Sequence, residues 1–437
     1  MTTLPPLHTQ HPVPAPAPTK IRLALLATAL CDALGAPAEF CARASFAFLS
    51  TMAPNENFGL GPGVWTDDTS MALALARSLA TCSGGEGAST PTTGGARGGF
   101  DAADQLDAYF RWWQDGALSA TGECFDIGTT ICRALGIYRD ALRAAGVAPQ
   151  TQTQTQVGTT AQEAPRRAAA ETALARIARD LRGAGFGGNG SLMRVLPVAL
   201  AYHRAPAAAA EYARRSSAPT HPNAVCGEAC AAWAACVARV VAGASAGPGP
   251  GGAGGEGRMT KLDVLHHFAA YPWSADAGAL RAALAPDVPL PAGVAAPAAV
   301  EAHYAAHHRL MRLRAAARVP PSPSPEAHTR ALLPPAAALP SSGYVVHTLA
   351  AALYAFLATA SFEAGALLAA NMGDDADTVG AVYGGLAGAW YAAEDVGGGE
   401  GGLFWSPRVR AWRDALVRRD VIEEVAEELV GFAGRQA

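Results

Sequence analysis

Three aspartates and a threonine stand together late in the chain, in the stretch GDDADT (373–378). Closely spaced carboxylates repel one another and raise each other's pKa, so such a cluster is costly unless it holds a cation. A second group, Thr66-Asp67-Asp68, precedes an apolar helical stretch, where N-capping would explain one or two of its residues. Hard divalent cations such as Mg²⁺ bind carboxylate and hydroxyl oxygens. If the two groups converge, they predict a two-ion site that orients substrate oxygens and activates water.

A glycine-rich segment, GGNGS (187–191), offers a second kind of chemistry. Small residues let backbone amides approach a diphosphate, and the apolar stretch that follows suggests a helix N-terminus, which favours negative charge. A plain loop is the alternative for a turn of this kind on its own. His221, at a helix start, can be a ligand contact or a structural residue, and Arg194 can be a ligand contact or a buried structural cation.

The elements that must position these residues are helices. Apolar residues recur at helical spacing in long Ala- and Leu-rich stretches, and no alternating β-branched pattern competes with them. Such stretches follow Thr69, Asp126, Pro222 and Gly343. We therefore predict an all-α fold with one core. Helices of the same composition continue across each interruption, which favours a single domain over 20–437.

Segments rich in Pro, Gly, Ser and Thr interrupt the helices. They lack the apolar residues needed to offset the entropy lost on ordering, which predicts disorder in the Pro-rich leader 1–19 and surface loops elsewhere. The predicted inserts cover 83–99, 147–162, 243–257 and 318–340.

Composition argues against several classes of partner. The chain has 437 residues, a formal net charge of −4 and no run of Lys and Arg, so we expect neither a nucleic-acid nor a membrane surface. Eight scattered cysteines without a CxxC pair indicate reduced core thiols. Asp32 interrupts the apolar stretch after Lys20, and we expect a buried first helix there, with no signal peptide and no run long enough to span a membrane. A cytoplasmic monomer, with an organelle as the alternative location, is the expectation.

Seven motifs taken together are more specific than either acidic group alone. The strongest pair is WTDDTSMAL (65–73) with GDDADTVGAVYGGLAGA (373–389). The combination resembles the ADP-ribosylglycohydrolase family, in the family's order and over nearly everything outside the leader and inserts. The remaining motifs are CDALGAPAEF (31–40), CFDIGTT (124–130), GNGSLMRVLPVAL (188–200), THP (220–222) and SSGYVVHTLAAALYAF (341–356).

The resemblance implies an orthogonal helical bundle with two Mg²⁺ ions, or Mn²⁺ in their place, at the bottom of an ADP-ribose cleft. Asp374 matches a position that is often glycine in relatives, so it is expected beside the ions and not as a ligand. Cys31 stands where relatives usually have glycine, which puts close packing of the first helix in question. The implied metal ligands are Thr66, Asp67, Asp68, Asp375, Asp377 and Thr378.

The same resemblance implies roles around the ions. Glu39 would act as an acid/base or water-orienting group, and Asp126 would face the leaving group, where a carboxylate can hold a guanidinium through two parallel hydrogen bonds. The implied substrate contacts are Gly128, Gly188, Asn189, Gly190, Ser191, Met193 and His221.

The implied activity is hydrolysis of the N- or O-glycosidic bond between ADP-ribose and an acceptor. Asp126 favours arginine on a modified protein, and a conjugate such as O-acetyl-ADP-ribose is the small-molecule alternative. A relative that binds ADP-ribose without turnover is the non-enzymatic alternative, although all six implied ligands are present. A Mg²⁺-dependent prenyl-diphosphate enzyme is a remote one, because the pattern is DDAD and not DDxxD. A DxDxT phosphatase would need a strand before its acids, whereas 362–372 predicts a helix.

Overall fold

The helical prediction is confirmed. A computed structural model describes residues 4–82, 85–86, 98–147, 160–243, 258–321, 324–396 and 402–436. These residues form eighteen α-helices and no β-sheet. The helices are α1 Ala17–Gly35, α2 Asp67–Thr81, α3 Ala102–Asp115, α4 Thr129–Ala144, α5 Thr160–Asp180, α6 Leu196–Ala201, α7 Pro206–Ser217, α8 Ala224–Ala242, α9 Lys261–Ala269, α10 Gly278–Leu284, α11 Pro297–His307, α12 Arg309–Ala316, α13 Pro325–Leu332, α14 Val345–Ala358, α15 Phe362–Ala370, α16 Ala376–Trp390, α17 Pro407–Ala415 and α18 Arg419–Arg435.

Two helices, α1 and α16, pack against each other at the centre of the core. Both are apolar around their whole circumference, so nearly every residue of each is buried. The outer helix α18 instead buries one face, which carries Val425, Leu429 and Phe432. Helices that are apolar all round, such as α1 and α16, can lie only where other helices surround them. The start of α16 therefore lies deep in the molecule.

Glycines on α16 set its distance from α1. A Cβ at Gly380 would lie 2.5 Å from the carbonyl oxygen of Cys31, and one at Gly384 would lie 2.4 Å from that of Ala27. Real side chains do not approach backbone atoms this closely. The two helices can therefore pack backbone against backbone only because these positions of α16 have no side chain. The cysteine that replaces the family's usual glycine at position 31 is thus accommodated by a glycine on the partner helix.

Within the described ranges, two helices are by length and composition apolar enough to cross a membrane, so the expectation that no run reaches that length is wrong. They span Ala17–Ala38 and Ala224–Ala242. The share of the apolar stretch that is buried inside the structure is 83% for the first helix and 78% for the second. Other parts of the chain therefore cover these helices, as expected for the first one.

The leader is ordered from Leu4 onward, against the prediction of disorder for 1–19. Leu7 is fully buried, and its amide donates to Glu301 Oε1 at 2.8 Å. Further along, the Val13 amide donates to the carbonyl of Trp390 at 2.8 Å. These distant partners replace the local structure that a Pro-rich sequence cannot form.

The predicted loop 318–340 is also wrong where the structure describes it. It contains α13, and its Leu332 and Leu339 are buried. The Arg43 guanidinium donates to the carbonyls of Pro334 and Leu339 at 2.7 and 2.8 Å. This segment is part of the packed fold and not a surface insert.

The other predicted inserts lie mostly outside the described residues, at 83–84, 87–97, 148–159 and 244–257. Where the first is described, Glu86 and Phe100 form an isolated backbone bridge. All eight cysteines are free, five of them buried, while Cys41 and Cys124 are half-buried and Cys132 is exposed. The core-thiol prediction therefore holds for the five buried ones.

Candidate active site

The two acidic groups, some three hundred residues apart, meet in the structure. Asp67 and Asp68 form the first turn of α2, and Asp377 lies in the first turn of α16. Thr378 Oγ1 donates to Asp68 Oδ2 at 3.3 Å, and Thr66 Oγ1 lies 3.5 Å from Asp377 Oδ2. The convergence on which a shared site depends is therefore present.

Capping does not explain these side chains. Thr66 and Asp375 are the N-cap residues of α2 and α16, yet neither makes a side-chain capping hydrogen bond. Elsewhere in the chain Asp101 and Asn223 cap α3 and α8 in the ordinary way. At the two acidic groups, helix capping therefore does not account for the carboxylates.

Asp32, which the sequence offered only as an interruption of an apolar helix, holds the start of α2 in place. It is fully buried and accepts hydrogen bonds from the Thr66 amide at 3.0 Å and the Thr69 amide at 3.1 Å. Its carboxylate also accepts from the hydroxyls of Thr66 and Thr69 at 3.0 and 2.5 Å. A lone acid in an otherwise apolar helix was the available signal, because a buried carboxylate needs such partners.

Glu39 and Asp126 join the acids of the two helices. One carboxylate oxygen each from Glu39, Asp126 and Asp377 lie within 4.8 Å of one another, a group that could hold a metal ion. Burial raises the pKa of Glu39, and the charges of Asp377 and Asp126 raise it further. Burial also raises the pKa of Asp126 to about 6. The three carboxylates therefore resist being ionised together without a counter-charge.

The rest of the acidic group shows the same conflict. Burial raises the pKa of Asp68 and of Asp377 well above the ordinary range; the charge of Asp377 raises the pKa of Asp68 further, and the charge of Asp375 raises that of Asp377. Among the described residues no Lys or Arg forms an ion pair with any of these acids. Four of their buried oxygens also have no hydrogen-bond partner there: Glu39 Oε2, Asp68 Oδ1, Asp126 Oδ2 and Asp377 Oδ1. A bound cation would satisfy both the charge and the oxygens.

A cavity of about 400 Å³ contains most of the predicted site residues. Thr66 and Ser191 do not line it. Thr66 lies behind the acids, and the Ser191 hydroxyl instead accepts from Ser217 Oγ at 2.8 Å inside the core. Asp374 also stays outside, and its Oδ2 accepts from Ser341 Oγ at 3.2 Å. The predicted residues that line the cavity are Glu39, Asp67, Asp68, Asp126, Gly128, Gly188, Asn189, Gly190, Met193, His221, Asp375, Asp377 and Thr378.

The glycine-rich segment is a turn and not a helix N-terminus. The next helix, α6, begins only at Leu196 and has six residues, so the predicted support from a helix dipole is wrong. Asn189 Nδ2 donates to Asp375 Oδ2 at 2.9 Å and ties the turn to the acids. The amides of Gly190 and Ser191 donate to no acceptor in the part of the chain that the structure describes.

His221 packs behind this turn. Its Nδ1 lies 2.8 Å from Thr220 Oγ1, and burial lowers the pKa of the imidazole to about 3, so the ring is neutral at pH 7. A Cβ at Gly190 would lie 2.9 Å from His221 Cε1, which explains a glycine there. Arg194 is structural: it is fully buried and donates to the Gly190 carbonyl at 2.7 Å.

Similarity to known proteins agrees with this arrangement. A family model described as ADP-ribosylglycohydrolase matches residues 14–437. The chain belongs to the ADP-ribosylglycohydrolase family. It is therefore a hydrolase of glycosidic bonds. The resemblance to this family that its seven motifs indicate is confirmed.

Two relatives within the ADP-ribosylglycohydrolases align over most of the chain. The ADP-ribosylarginine hydrolase Tri1 of Serratia proteamaculans (strain 568) is 25% identical over 417 residues, which are 95% of this chain and 80% of that protein. The ADP-ribosyl-dinitrogen reductase glycohydrolase of Rhodospirillum rubrum is 24% identical over 415 residues, 94% of this chain and 95% of that protein. A solved structure of an ADP-ribosylglycohydrolase-related protein complex is 28% identical with a TM-score of 0.56, and the match covers 95% of this chain and 99% of that one.

Several lining residues of this ADP-ribosylglycohydrolase were missed in the sequence. Phe40 follows Glu39 directly, and Gly343 lies so close to the acids that a Cβ there would be 2.9 Å from Asp375 Oδ2. Both belong to quoted motifs, but only the folded chain shows that they face the cavity. The remaining missed residues are Ile127, Thr129, Thr130 and Ile131.

Proposed function

We propose that this ADP-ribosylglycohydrolase releases ADP-ribose from arginine side chains in a Mg²⁺-dependent reaction. The observation that carries the proposal is the meeting of Glu39, Asp67, Asp68, Asp126, Asp375 and Asp377 in one cavity, with carboxylate oxygens that no described residue satisfies. Two of the similar proteins are named for ADP-ribosylarginine hydrolysis, which supports arginine as the acceptor.

The donor set fits two Mg²⁺ ions. Its members are carboxylates and threonine hydroxyls, the oxygen ligands that this ion accepts. When bound, the ions would supply positive charge to the vicinal hydroxyls of the terminal ribose and to the attacking water. The residues that would hold them are Thr66, Asp67, Asp68, Asp375, Asp377 and Thr378.

Glu39 and Asp126 would handle the proton and the leaving group. Glu39 Oε2 is buried and lacks a partner among the described residues, so it can take a proton from the water that attacks the anomeric carbon. As the new carbon–oxygen bond forms, the carbon–nitrogen bond breaks and its electron pair goes to the guanidine nitrogen, which then takes up the proton held by Glu39 and becomes a guanidinium again. Asp126 would bind the guanidinium through both carboxylate oxygens and keep it aligned as it leaves. The products are ADP-ribose and unmodified arginine.

The remainder of ADP-ribose would extend along the glycine turn. The amide of Gly190, which lines the cavity, could donate to the diphosphate. A second cavity, of about 500 Å³, is lined by Gly187 and Tyr344, and their chain neighbours Gly188 and Gly343 line the acidic cavity. Its volume and its Tyr344 ring suit the adenosine end of the ligand.

Incubation with a peptide that carries ADP-ribosyl-arginine tests the proposal. ADP-ribose release, followed by chromatography, should require Mg²⁺ and stop on addition of EDTA. Peptides that carry ADP-ribosyl-serine, and O-acetyl-ADP-ribose itself, should be cleaved more slowly. The parallel measurement is ADP-ribose binding by calorimetry: tight binding without release from any conjugate would identify a non-catalytic binding protein and reject the proposal.

A further inference from the structure

Phe40 combines two properties that few large apolar residues combine. Its side chain is 70% exposed, and it lines the acidic cavity directly beside Glu39. The other large apolar side chains that are exposed in the described residues, Val288, Val396 and Leu403, do not line this cavity. An exposed ring at the entrance of a site is a candidate contact for a ligand.

The backbone holds the ring in this position. Phe40 has a φ of 61°, in the left-handed region that non-glycine residues rarely adopt. Its amide donates to the Asp374 carbonyl at 2.6 Å, and the Asp374 amide donates to the Cys41 carbonyl at 2.7 Å. Asn57 Nδ2 donates to the Glu39 carbonyl at 2.9 Å from the other side. Strained backbone that its surroundings enforce often marks a functional position.

Two further aromatic residues are chain neighbours of residues in this region. Phe58 follows Asn57, and Phe125 precedes Asp126; their ring centroids are 5.6 Å apart at an angle of 56°. Both rings are half-buried, and they pack on each other outside the buried core. The chain segments that carry Asn57 and Asp126 therefore each add an aromatic ring outside the buried core.

We propose that the Phe40 ring packs against the guanidinium of the acceptor arginine and so selects planar, cationic acceptors. The inference rests on the proposed arginine hydrolysis. A guanidinium is planar and weakly hydrated, and it stacks on aromatic faces while its N–H groups remain free for a carboxylate. Asp126 would then bind the edge of the acceptor and Phe40 its face. ADP-ribose, held by the acids and by 188–190, would not need this ring.

Two substitutions separate the ring from its bulk. Phe40→Leu keeps an apolar side chain without the π face, and Phe40→Tyr keeps the face. For the ADP-ribosyl-arginine peptide, Phe40→Leu should raise KM by about 2- to 5-fold, the range of an exposed cation–π contact. Its kcat should stay within about twofold, because Glu39 remains in place, and Phe40→Tyr should restore the wild-type KM. The Kd for ADP-ribose, measured by calorimetry, should be the same in all three proteins.

Four outcomes would overturn the inference. An unchanged KM in Phe40→Leu would show that the ring does not contact the acceptor. A weaker ADP-ribose Kd in that variant, or a lower kcat that Phe40→Tyr fails to restore, would show that the ring only supports the loop. If the wild-type protein does not cleave the arginine conjugate at all, the proposed function fails first and this inference fails with it.

Discussion

Asp374 and Asp377 are three residues apart, yet the structure gives them different surroundings. Asp377 is buried with an unpartnered Oδ1 in the cavity, whereas the Asp374 carboxylate accepts from Ser341 outside it. We expect Asp377→Asn to lower kcat/KM by on the order of 100-fold or more, because a metal ligand is lost. Asp374→Asn, the matched control, should retain most activity in the same ADP-ribose release assay. Equal losses in the two variants would contradict the assignment.

The carboxylate of Asp126 should report its environment through pH. Burial raises its pKa from 3.8 to about 6, so the folded protein retains a proton that the unfolded chain has lost between these values. Proton binding at Asp126 therefore favours the folded protein over the unfolded chain. This contribution is present in full below about pH 4 and disappears as the pH rises through 6. Without metal, Asp126→Asn should therefore gain stability relative to wild type on going from pH 4.5 to 7.5, by on the order of 1–3 kcal/mol.

Urea unfolding in EDTA at pH 4.5 and 7.5 measures this gap, which is the difference in the free energy of unfolding between Asp126→Asn and wild type. A gap that stays constant would show that the Asp126 carboxyl titrates alike in the folded and unfolded chains. The comparison uses a difference between two proteins because buried histidines titrate in the opposite sense. Burial lowers the pKa of His221 and His267, for example, which makes the folded protein lose stability as the pH falls.

At the scale of elements, the contact between α1 and α16 fixes where the acids lie. A Cβ at Gly384 would lie 2.4 Å from a backbone oxygen of α1, so Gly384→Ala must push the helices apart. We expect a loss of about 1–3 kcal/mol in the free energy of unfolding, and lower activity because α16 carries Asp377. Gly136→Ala in α4 is the control, since nothing lies within 4 Å of its added Cβ.

The control should gain about 0.5–1 kcal/mol, because alanine is the better helix former. Urea unfolding monitored by circular dichroism distinguishes the two signs. If Gly384→Ala were as stable as wild type, the close approach of the two helices would not be required for the fold.

Helices could be predicted where the pattern of apolar residues lies within one segment. Segments that are held in place by residues far away in the sequence could not. The Ala- and Leu-rich stretches gave α2, α4, α8 and α14 because helical spacing of apolar residues is visible within one segment. The sequence alone predicts disorder for the leader and a loop for 318–340. Both predictions fail because the residues that hold these segments in place, Glu301, Trp390 and Arg43, lie elsewhere in the chain. The same limit applies to Asp32, whose role depends on two threonines of α2.

At the scale of the whole molecule, the site joins parts of the chain that are far apart in sequence. Its acids come from residue 39, from the start of α2, from Asp126 and from the start of α16, so a bound ion would link four segments of the fold. Their mutual repulsion opposes folding when no cation is present. An unfolded chain does not bring these acids together. Metal binding should therefore act as global stabilisation and not as a local effect.

Thermal unfolding with and without Mg²⁺ tests this coupling. At an ion concentration of about 100 times Kd, binding to the folded state alone contributes about 2.7 kcal/mol, which corresponds to a rise of several degrees in Tm. Wild type and Asp374→Asn should show the rise, and EDTA should reverse it. Asp377→Asn should show little or none, since it lacks a ligand that joins α16 to the rest of the site. A rise of the same size in Asp377→Asn would place the stabilising ion elsewhere, even if activity still required Mg²⁺.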